Sequence, residues 1–361
     1  MKSTPRVFFA ILNMGLGHTT RSMPLIKKFI ELGWNVIMAS SGRSLQYLKK
    51  ELPENSFVEL TDYDLHYTKK GLSMLEFTKK LPHLLKTTIQ EHLFVEKFVK
   101  VHNIDYVFSD QRYGCFSSKI PSYFISHQLR FIAPKSVRHL EFMGAFFNKS
   151  FYRRYTGVIV PDVLYHDEGL ISGKLSGIED LSKIHFPGIL SSISCDNNME
   201  KDIDLFVSVS GPEPQRSILE RIIRAQIRTV PGKKVIALGI PESDYIENHQ
   251  PDITIYHHLG RSYISEIMNR SRMIVSRSGY TTIMELAELG KKALFIPTPG
   301  QTEQIYLAER LKENGWFYYV NQQDLNLKRD INIAHKYPGF TNSFSTSKAV
   351  NNVLKLLGKN C

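Results

Sequence analysis

The stretch from Met273 to Gln304, MIVSRSGYTTIMELAELGKKALFIPTPGQTEQ, constrains this 361-residue chain more than any other. Met273 to Val275 is a short apolar run that reads as a buried strand. A polar turn, Ser276 to Gly279, follows. Ile283, Leu286, Ala287 and Leu289 then share one helical face until Gly290 stops the helix. Ala293 to Ile296 is a second strand, closed by Pro297-Thr298-Pro299-Gly300. This is one β-α-β unit, and such units bind ligands where their strands end. The N–H groups at the helix start near Gly279 and Tyr280, with the positive end of the helix dipole, suit a phosphate. Glu285 lies about one and a half turns further along. A carboxylate there suits a diol, and the amide of Gln304 suits hydroxyls. Phosphate, diol and hydroxyls together suggest a nucleotide sugar. The same residues also fit an ordinary β-α turn, with Glu285 on a solvated face and Gln304 as a cap.

The chain opens on a second unit of this kind. Arg6 to Leu12 reads as a buried strand, and Asn13 to His18 as a turn bearing Gly15 and Gly17. A helix then begins at Thr19 or Thr20, presents Met23, Leu25, Ile26, Phe29, Ile30 and Leu32 to a core, and ends at Gly33 before the strand Asn35 to Ala39. The third glycine of a dinucleotide fingerprint is missing and no acidic residue follows the second strand, which argues against NAD or FAD. His18 stands on an open turn at the end of the first strand. A neutral imidazole there can take the proton of an attacking hydroxyl.

The Ser276 to Gln304 stretch resembles the donor-site signature of GT-B glycosyltransferases related to glycosyltransferase family 28, whose best-known member adds N-acetylglucosamine to the lipid-linked peptidoglycan precursor. That signature is S-R-S-G, a Glu that holds the ribose, then a proline turn and a Gln-containing helix start that holds the sugar. On this chain these are Ser276, Arg277, Ser278 and Gly279, then Glu285, then Pro297 and Gln304. Gly15 to Arg21 resembles the GxGHxxR motif of the superfamily's first domain. An uncharacterised transferase-like branch shares that motif with a nucleotide-sugar hydrolase of nonulosonic acid synthesis, in which the His is catalytic.

The resemblance implies an α/β GT-B fold, two Rossmann-like domains with parallel sheets facing across a cleft. Residues 1–190 form the acceptor-side domain, 191–342 the nucleotide-sugar donor domain, and a helix within 343–361 packs back on the first. His18 is the implied base. Asp110 and His127, at the ends of strands Asp105 to Ser109 and Tyr123 to Ser126, are candidates to assist it, with capping and core roles as alternatives. The implied donor-binding set is Gly15, Gly17, Ser210, Gly211, Arg216, Arg277, Ser278, Gly279, Tyr280, Glu285, Gln301, Glu303 and Gln304. The turn Ser210 to Arg216 takes the place of the family's glycine-rich diphosphate loop but carries two prolines and a Glu instead. Arg216 or Arg277 is expected to assist the leaving diphosphate. No metal or other cofactor is expected, and no metal-ligand cluster is visible.

Composition narrows the partners. No run of about 18 apolar residues could span a membrane, and no signal peptide is visible. Cys115, Cys195 and Cys361 are scattered, which suggests free thiols in a reducing compartment and no zinc site. The formal charge is +11, with 25 Lys and Arg against 17 Asp and Glu in residues 1–190 and 21 against 18 in the rest. Such a bias suits an anionic partner, or is simply solubility charge. Five lysines of a long helix, Ser73 to Val101, read as a solvated face: Lys79, Lys80, Lys86, Lys97 and Lys100. The stretch Asp62 to Gly71 reads as a loop over the cleft. Residues 129–155 mix basic side chains with aromatics, a pattern that suits the surface of an anionic bilayer and equally a core helix with solvated cations. Nothing indicates nucleic acid.

The reading is a cytoplasmic protein, peripheral on the inner face of the membrane. It is an inverting hexosyltransferase that moves a hexose or N-acetylhexosamine from a UDP-sugar to a hydroxyl of a lipid or glycan acceptor. The alternative is a nucleotide-sugar hydrolase or 2-epimerase of the same fold.

Overall fold

The computed structural model describes residues 4–63, 74–130, 148–177, 182–240 and 243–358. Most of the loop expected over the cleft, and 131–147 of the basic-aromatic segment, lie outside the described residues. The chain forms two compact units. The first takes in Met1–His66, Ser73–Ser192 and Ser345–Cys361, and the second Ile193–Phe344.

The first unit is built on strands β1 (Arg6–Ile11), β2 (Asn35–Ser40), β3 (Ser56–Glu59), β4 (Tyr106–Asp110), β5 (Ser122–Ile125) and β6 (Gly157–Ile159), a short hairpin of β7 (Leu164–Tyr165) and β8 (Glu168–Gly169), and β9 (Ile184–His185). The main sheet runs in the order β3-β2-β1-β4-β5-β6-β9 with every pairing parallel. Helices α1 (Gly17–Glu31), α2 (Gly42–Glu51) and α3 (Met74–His102) complete the βαβ connections. Strand β1 is apolar on both faces because both are covered. Val7, Phe9 and Ile11 point into one core cluster with Met23, Ile26 and Phe29 of α1 and with Val353 and Leu354 of helix Thr346–Leu356. Phe8 and Ala10 point the other way, onto Val95 and Val99 of α3.

The sequence placed the start of α1 at Thr19 or Thr20. The helix begins at Gly17, so His18 sits in its first turn. Gly15 makes the sharp approach possible, with φ +76 in the left-handed region.

The second unit contains β10 (Ile203–Ser208), β11 (Lys234–Ala237), β12 (Ile246–Gln250), β13 (Ile253–Tyr256), β14 (Ser271–Ser276), β15 (Lys292–Phe295) and β16 (Tyr318–Tyr319) in the order β12-β13-β11-β10-β14-β15-β16. One strand departs from the parallel sheet expected: β12 is an antiparallel edge on β13. Its sequence, IENHQ, has no apolar alternation to announce a strand. Helix Tyr280–Leu289 ends where predicted, with Gly290 left-handed at φ +59 and its N–H returning to Ala287 and Leu286.

In both sheets the strand order reverses beside the central strand. The reversal falls between β1 and β4 in one unit and between β10 and β14 in the other. Open α/β sheets bind ligands at the carboxyl ends of the strands that flank such a point.

Candidate active site

At the reversal in the first unit, β1 leads into the turn that carries His18 and β4 ends on Asp110, with Ile11 and Asp110 in register. The Leu12 N–H donates to the Asp110 carbonyl at 3.0 Å. Asn13 fixes the turn from its side. Its Nδ2 donates to Asp62 at 2.7 Å, and its Oδ1 accepts from the Ser44 N–H at 3.2 Å.

The carboxylate of Asp110 is wholly buried, and its two oxygens converge on three side chains. His18 Nδ1 lies 2.8 Å from Oδ1. Arg21 reaches Oδ2 through Nε at 2.7 Å and Oδ1 through Nη2. The Ser22 hydroxyl donates to Oδ2 at 2.8 Å. Burial alone would favour the neutral acid, but the Arg21 and His18 partners outweigh it and hold Asp110 well below the usual carboxylate range. His18 is shifted down from 6.5, first by burial and then by the Arg21 charge, against the pull of Asp110. Its side chain keeps 11% of its surface exposed. His127 stands just past β5. Its Nδ1 lies 2.7 Å from Arg21 Nη1.

Apolar side chains flank the turn. Leu12, Tyr63 and Leu84 cluster with Met14 and Tyr113. Behind them a second buried ion pair, Arg112 with Glu91, fixes the loop after β4. Arg112 Nε donates to Glu91 Oε1 at 2.7 Å, and the Tyr63 hydroxyl donates to Glu91 Oε2 at 2.5 Å.

The second unit gathers most of the remaining sequence candidates at its own reversal. Ser210 and Gly211 follow β10, and Arg277 to Gly279 follow β14. Gly279 caps helix Tyr280–Leu289 in an extended conformation, with no side-chain cap and no acidic residue in the first turn. A Cβ built on Gly279 would meet nothing within 4 Å, so the positive helix end is open on that side. Ser278 Oγ donates to the Gln304 carbonyl at 2.8 Å, and Gln304 Oε1 accepts the Thr298 N–H at 2.8 Å, which leaves the Gln304 amide nitrogen without a partner among the described residues. The Thr298 hydroxyl is also buried without a partner, and the side of Gly211 that lacks a Cβ faces it. Gln301 precedes helix Thr302–Glu313 and Glu303 lies in its first turn.

Two expectations about cations change. Arg277 donates Nε to Ser210 at 3.1 Å, Nη1 to the carbonyls of Ile296 at 3.1 Å and Pro297 at 3.2 Å, and Nη2 to Gln215 at 3.0 Å and Gln322 Oε1 at 2.7 Å. All five donors of a guanidinium are thereby used. Arg277 braces three loops and has no N–H left for a diphosphate. Burial lowers its pKa to about 10. Arg216 sits between Glu213 at 2.6 Å and Glu220 at 2.9 Å, so two carboxylates already offset its charge.

Glu285 is buried, which raises its pKa, and it is ion-paired with Arg261, which opposes that rise. Sequence reading missed Arg261, together with Ser22, Thr298 and Gln322, and marked Arg21 only as the last residue of the GxGHxxR motif. Arg261 had one visible signal, a cation opening a helix immediately after the His258-Leu259-Gly260 turn. Gly15 and Gly17, expected among the donor-binding residues, lie on the His18 turn as the sequence places them.

Residues 235–337 match the glycosyltransferase family 28 C-terminal domain. No curated protein matches the chain significantly. Among solved structures, the glycotransferase of kitacinnamycin is similar with a TM-score of 0.62 at 13% identity, over 99% of this chain and 97% of that one. MurG of Acinetobacter baumannii is similar with a TM-score of 0.58 at 14% identity, over 98% of this chain and 99% of that one. A Listeria monocytogenes protein described as a UDP-N-acetylglucosamine 2-epimerase gives 0.60 at 13% identity, over 98% and 96%. The fold is GT-B. With the family 28 domain in its second unit, the chain is a glycosyltransferase.

Proposed function

We propose that this chain is an inverting glycosyltransferase that moves a hexose or N-acetylhexosamine from a UDP-sugar to an acceptor hydroxyl. The observation that carries the reading is the His18–Asp110 contact of 2.8 Å at the strand reversal, with the His18 side chain still partly exposed. His18 takes the proton of the acceptor hydroxyl at Nε2 while the acceptor oxygen forms its bond to the anomeric carbon. The bond from that carbon to the β-phosphate oxygen breaks, and its electron pair leaves with UDP. The anomeric centre inverts because attack and departure occur on opposite faces. The charge growing on the diphosphate meets the open helix end at Gly279 and Ser278, so no metal is needed in this reading. Glu285 holds the ribose hydroxyls and the Gln304 amide the sugar.

The acceptor is a lipid or lipid-linked glycan met at an anionic surface, and the protein is cytoplasmic and peripheral on the inner face of the membrane. Two features support this. The apolar cluster of Leu12, Met14, Tyr63 and Tyr113 borders the His18 turn. The outer face of α3 carries Ile89 and Leu93, 60% and 65% exposed, with Leu85, Phe94 and Val101 among Lys86, Lys97 and Lys100. The lysine face expected to be merely solvated is thus half apolar. Both carboxylates of Pro82–His102 are otherwise engaged, Glu91 buried on Arg112 and Glu96 on the Ser118 N–H at 2.7 Å. Exposed rings and aliphatics among cations suit a bilayer surface rather than nucleic acid. No described helix is long and apolar enough to cross a membrane.

Incubation with a panel of UDP-sugars, with and without anionic vesicles and lipid extract, tests the reading through UDP release and the fate of the sugar. Sugar recovered in the lipid fraction, lost in His18→Ala, supports it. Free sugar released equally well without lipid moves the protein to the second reading, a nucleotide-sugar hydrolase or 2-epimerase, which the GxGHxxR turn also fits and which the likeness to the Listeria protein favours.

A further inference from the structure

The two histidines beside Asp110 both approach one guanidinium, and that guanidinium constrains where their protons sit. Arg21 is almost wholly buried on α1, one helical turn after His18. A guanidinium has donors and no acceptor. The 2.7 Å contact between Arg21 Nη1 and His127 Nδ1 is therefore a bond in which His127 Nδ1 accepts, which puts the His127 proton on Nε2.

His18 has a conflict to resolve. Its Nδ1 lies 2.8 Å from Asp110 Oδ1, an acceptor, and 2.9 Å from Arg21 Nη2, a donor. If Nδ1 accepted from Arg21, its lone pair would face the lone pairs of a buried carboxylate oxygen. If Nδ1 carries the proton, His18 and Arg21 both donate to Oδ1, Arg21 Nε and Ser22 Oγ both donate to Oδ2, and the carboxylate is fully satisfied. The short Nδ1···Nη2 distance then follows from two donors sharing one acceptor.

We propose that Arg21 is a positioning residue that, with Asp110, holds the two histidines in opposite tautomers. His18 carries its proton on Nδ1 and presents a bare Nε2, while His127 is the Nε2–H form and cannot act as a base through Nδ1. The site thus has one proton acceptor rather than two interchangeable ones. The tautomers rest on hydrogen-bond geometry alone. Their use in catalysis rests on the reading of His18 as the base. Burial of the ring and the neighbouring Arg21 charge keep His18 deprotonated near neutrality. The groups facing it are Arg21 from its own helix, Asp110 from the end of β4 and His127 from the end of β5.

Nitrogen-15 NMR of the full chain labelled at histidine tests the tautomers directly, with His18→Gln and His127→Gln providing assignments. At pH 7.5 the expected spectrum has a protonated Nδ1 and bare Nε2 for His18, and the reverse for His127. A proton on His127 Nδ1, or on His18 Nε2, overturns the proposal, whatever the activity. Arg21→Lys keeps a charge but loses the fork, and is expected to move the His127 Nδ1 resonance, because the donor 2.7 Å from it is withdrawn. An unchanged His127 spectrum in a folded Arg21→Lys protein overturns the proposal as well. In Arg21→Gln the acid limb of kcat/KM is expected to move to higher pH, because a cation that opposes protonation of His18 is gone, and Arg21→Lys is expected to return it. An unmoved limb in Arg21→Gln overturns the positioning role. Predicted tautomers in a protein whose turnover survives His18→Ala would instead remove the catalytic reading and leave the tautomer assignment standing.

Discussion

His18 Nδ1 and Asp110 Oδ1 stand 2.8 Å apart, one in the first turn of α1 and the other at the last residue of β4. Two elements distant in the chain meet at the strand reversal, where Arg21 and Ser22 of α1 also bond Asp110. Asp110→Asn keeps the shape but removes the charge that orients the ring. It is expected to lower kcat by about 10²–10⁴-fold, the range for losing general-base assistance, with a native circular-dichroism spectrum. His18→Ala is expected to fall in the same range, and the double variant to be no worse than the worse single, because the two act as one unit.

The pH profile has a defined sign. Catalysis needs deprotonated His18, and His18 is shifted below 6.5. The acid limb of kcat/KM is expected below pH 6.5, with a plateau through neutrality. Stability behaves differently. The pKa of Asp110 is depressed in the folded state, so its contribution is complete above its ordinary value of 3.8 and is lost as pH falls towards the folded value. Asp110→Asn should be less stable than the parent at pH 7 in urea melts, with the difference shrinking as the pH drops below 3.8.

Arg277→Ala is expected to act on stability first. Five protein oxygens lose their donor in a buried site, and leaving even a few unsatisfied costs about 3 kcal/mol or more. Thermal unfolding would show the loss. Arg277→Lys should recover little of it, since one ammonium cannot reach Ser210, Ile296, Pro297, Gln215 and Gln322 together.

Glu285→Gln tests the donor site by calorimetry. The variant is expected to bind UDP about tenfold more weakly, roughly 1.4 kcal/mol, and to lose preference for UDP over 2′-deoxy-UDP. Equal affinities for the two nucleotides in the parent protein would contradict the role given to Glu285.

On α3, Ile89→Glu with Leu93→Glu is expected to abolish co-sedimentation with anionic vesicles while leaving the melting temperature unchanged, because both side chains already face solvent. Each carries roughly 1.5–3 kcal/mol of burial when it enters an apolar phase. Added salt should weaken the parent's binding through Lys86, Lys97 and Lys100.

The sequence reading located strands well where apolar runs are bounded by polar turns, as at Arg6–Ile11 and Ser271–Ser276. Strand ends in a parallel sheet carry the chemistry, so His18, Asp110 and Ser276 to Gly279 were visible as candidates. The contacts that join them to their partners were not. Arg21 is one turn from His18 only if the helix starts before Thr19, and the absence of a capping residue hid that start. Arg261 and Glu285 are 24 residues apart on separate helices, and no periodicity joins them. The bracing role of Arg277 depends on carbonyls from three loops, which a one-dimensional pattern does not display.

Helix Thr346–Leu356 has a consequence for synthesis. Its Ala349, Val350, Val353 and Leu354 complete the core around Val7, Phe9 and Met23. The second unit is therefore an insertion between two parts of the first. During translation the first unit emerges early but lacks an apolar wall until roughly 150 further residues have followed. The inserted stretch Ile193–Phe344 is one run of chain and can close its own core sooner. Sheet one must wait, with β1 half covered, and this interval is where a ribosome-bound chaperone has most to protect.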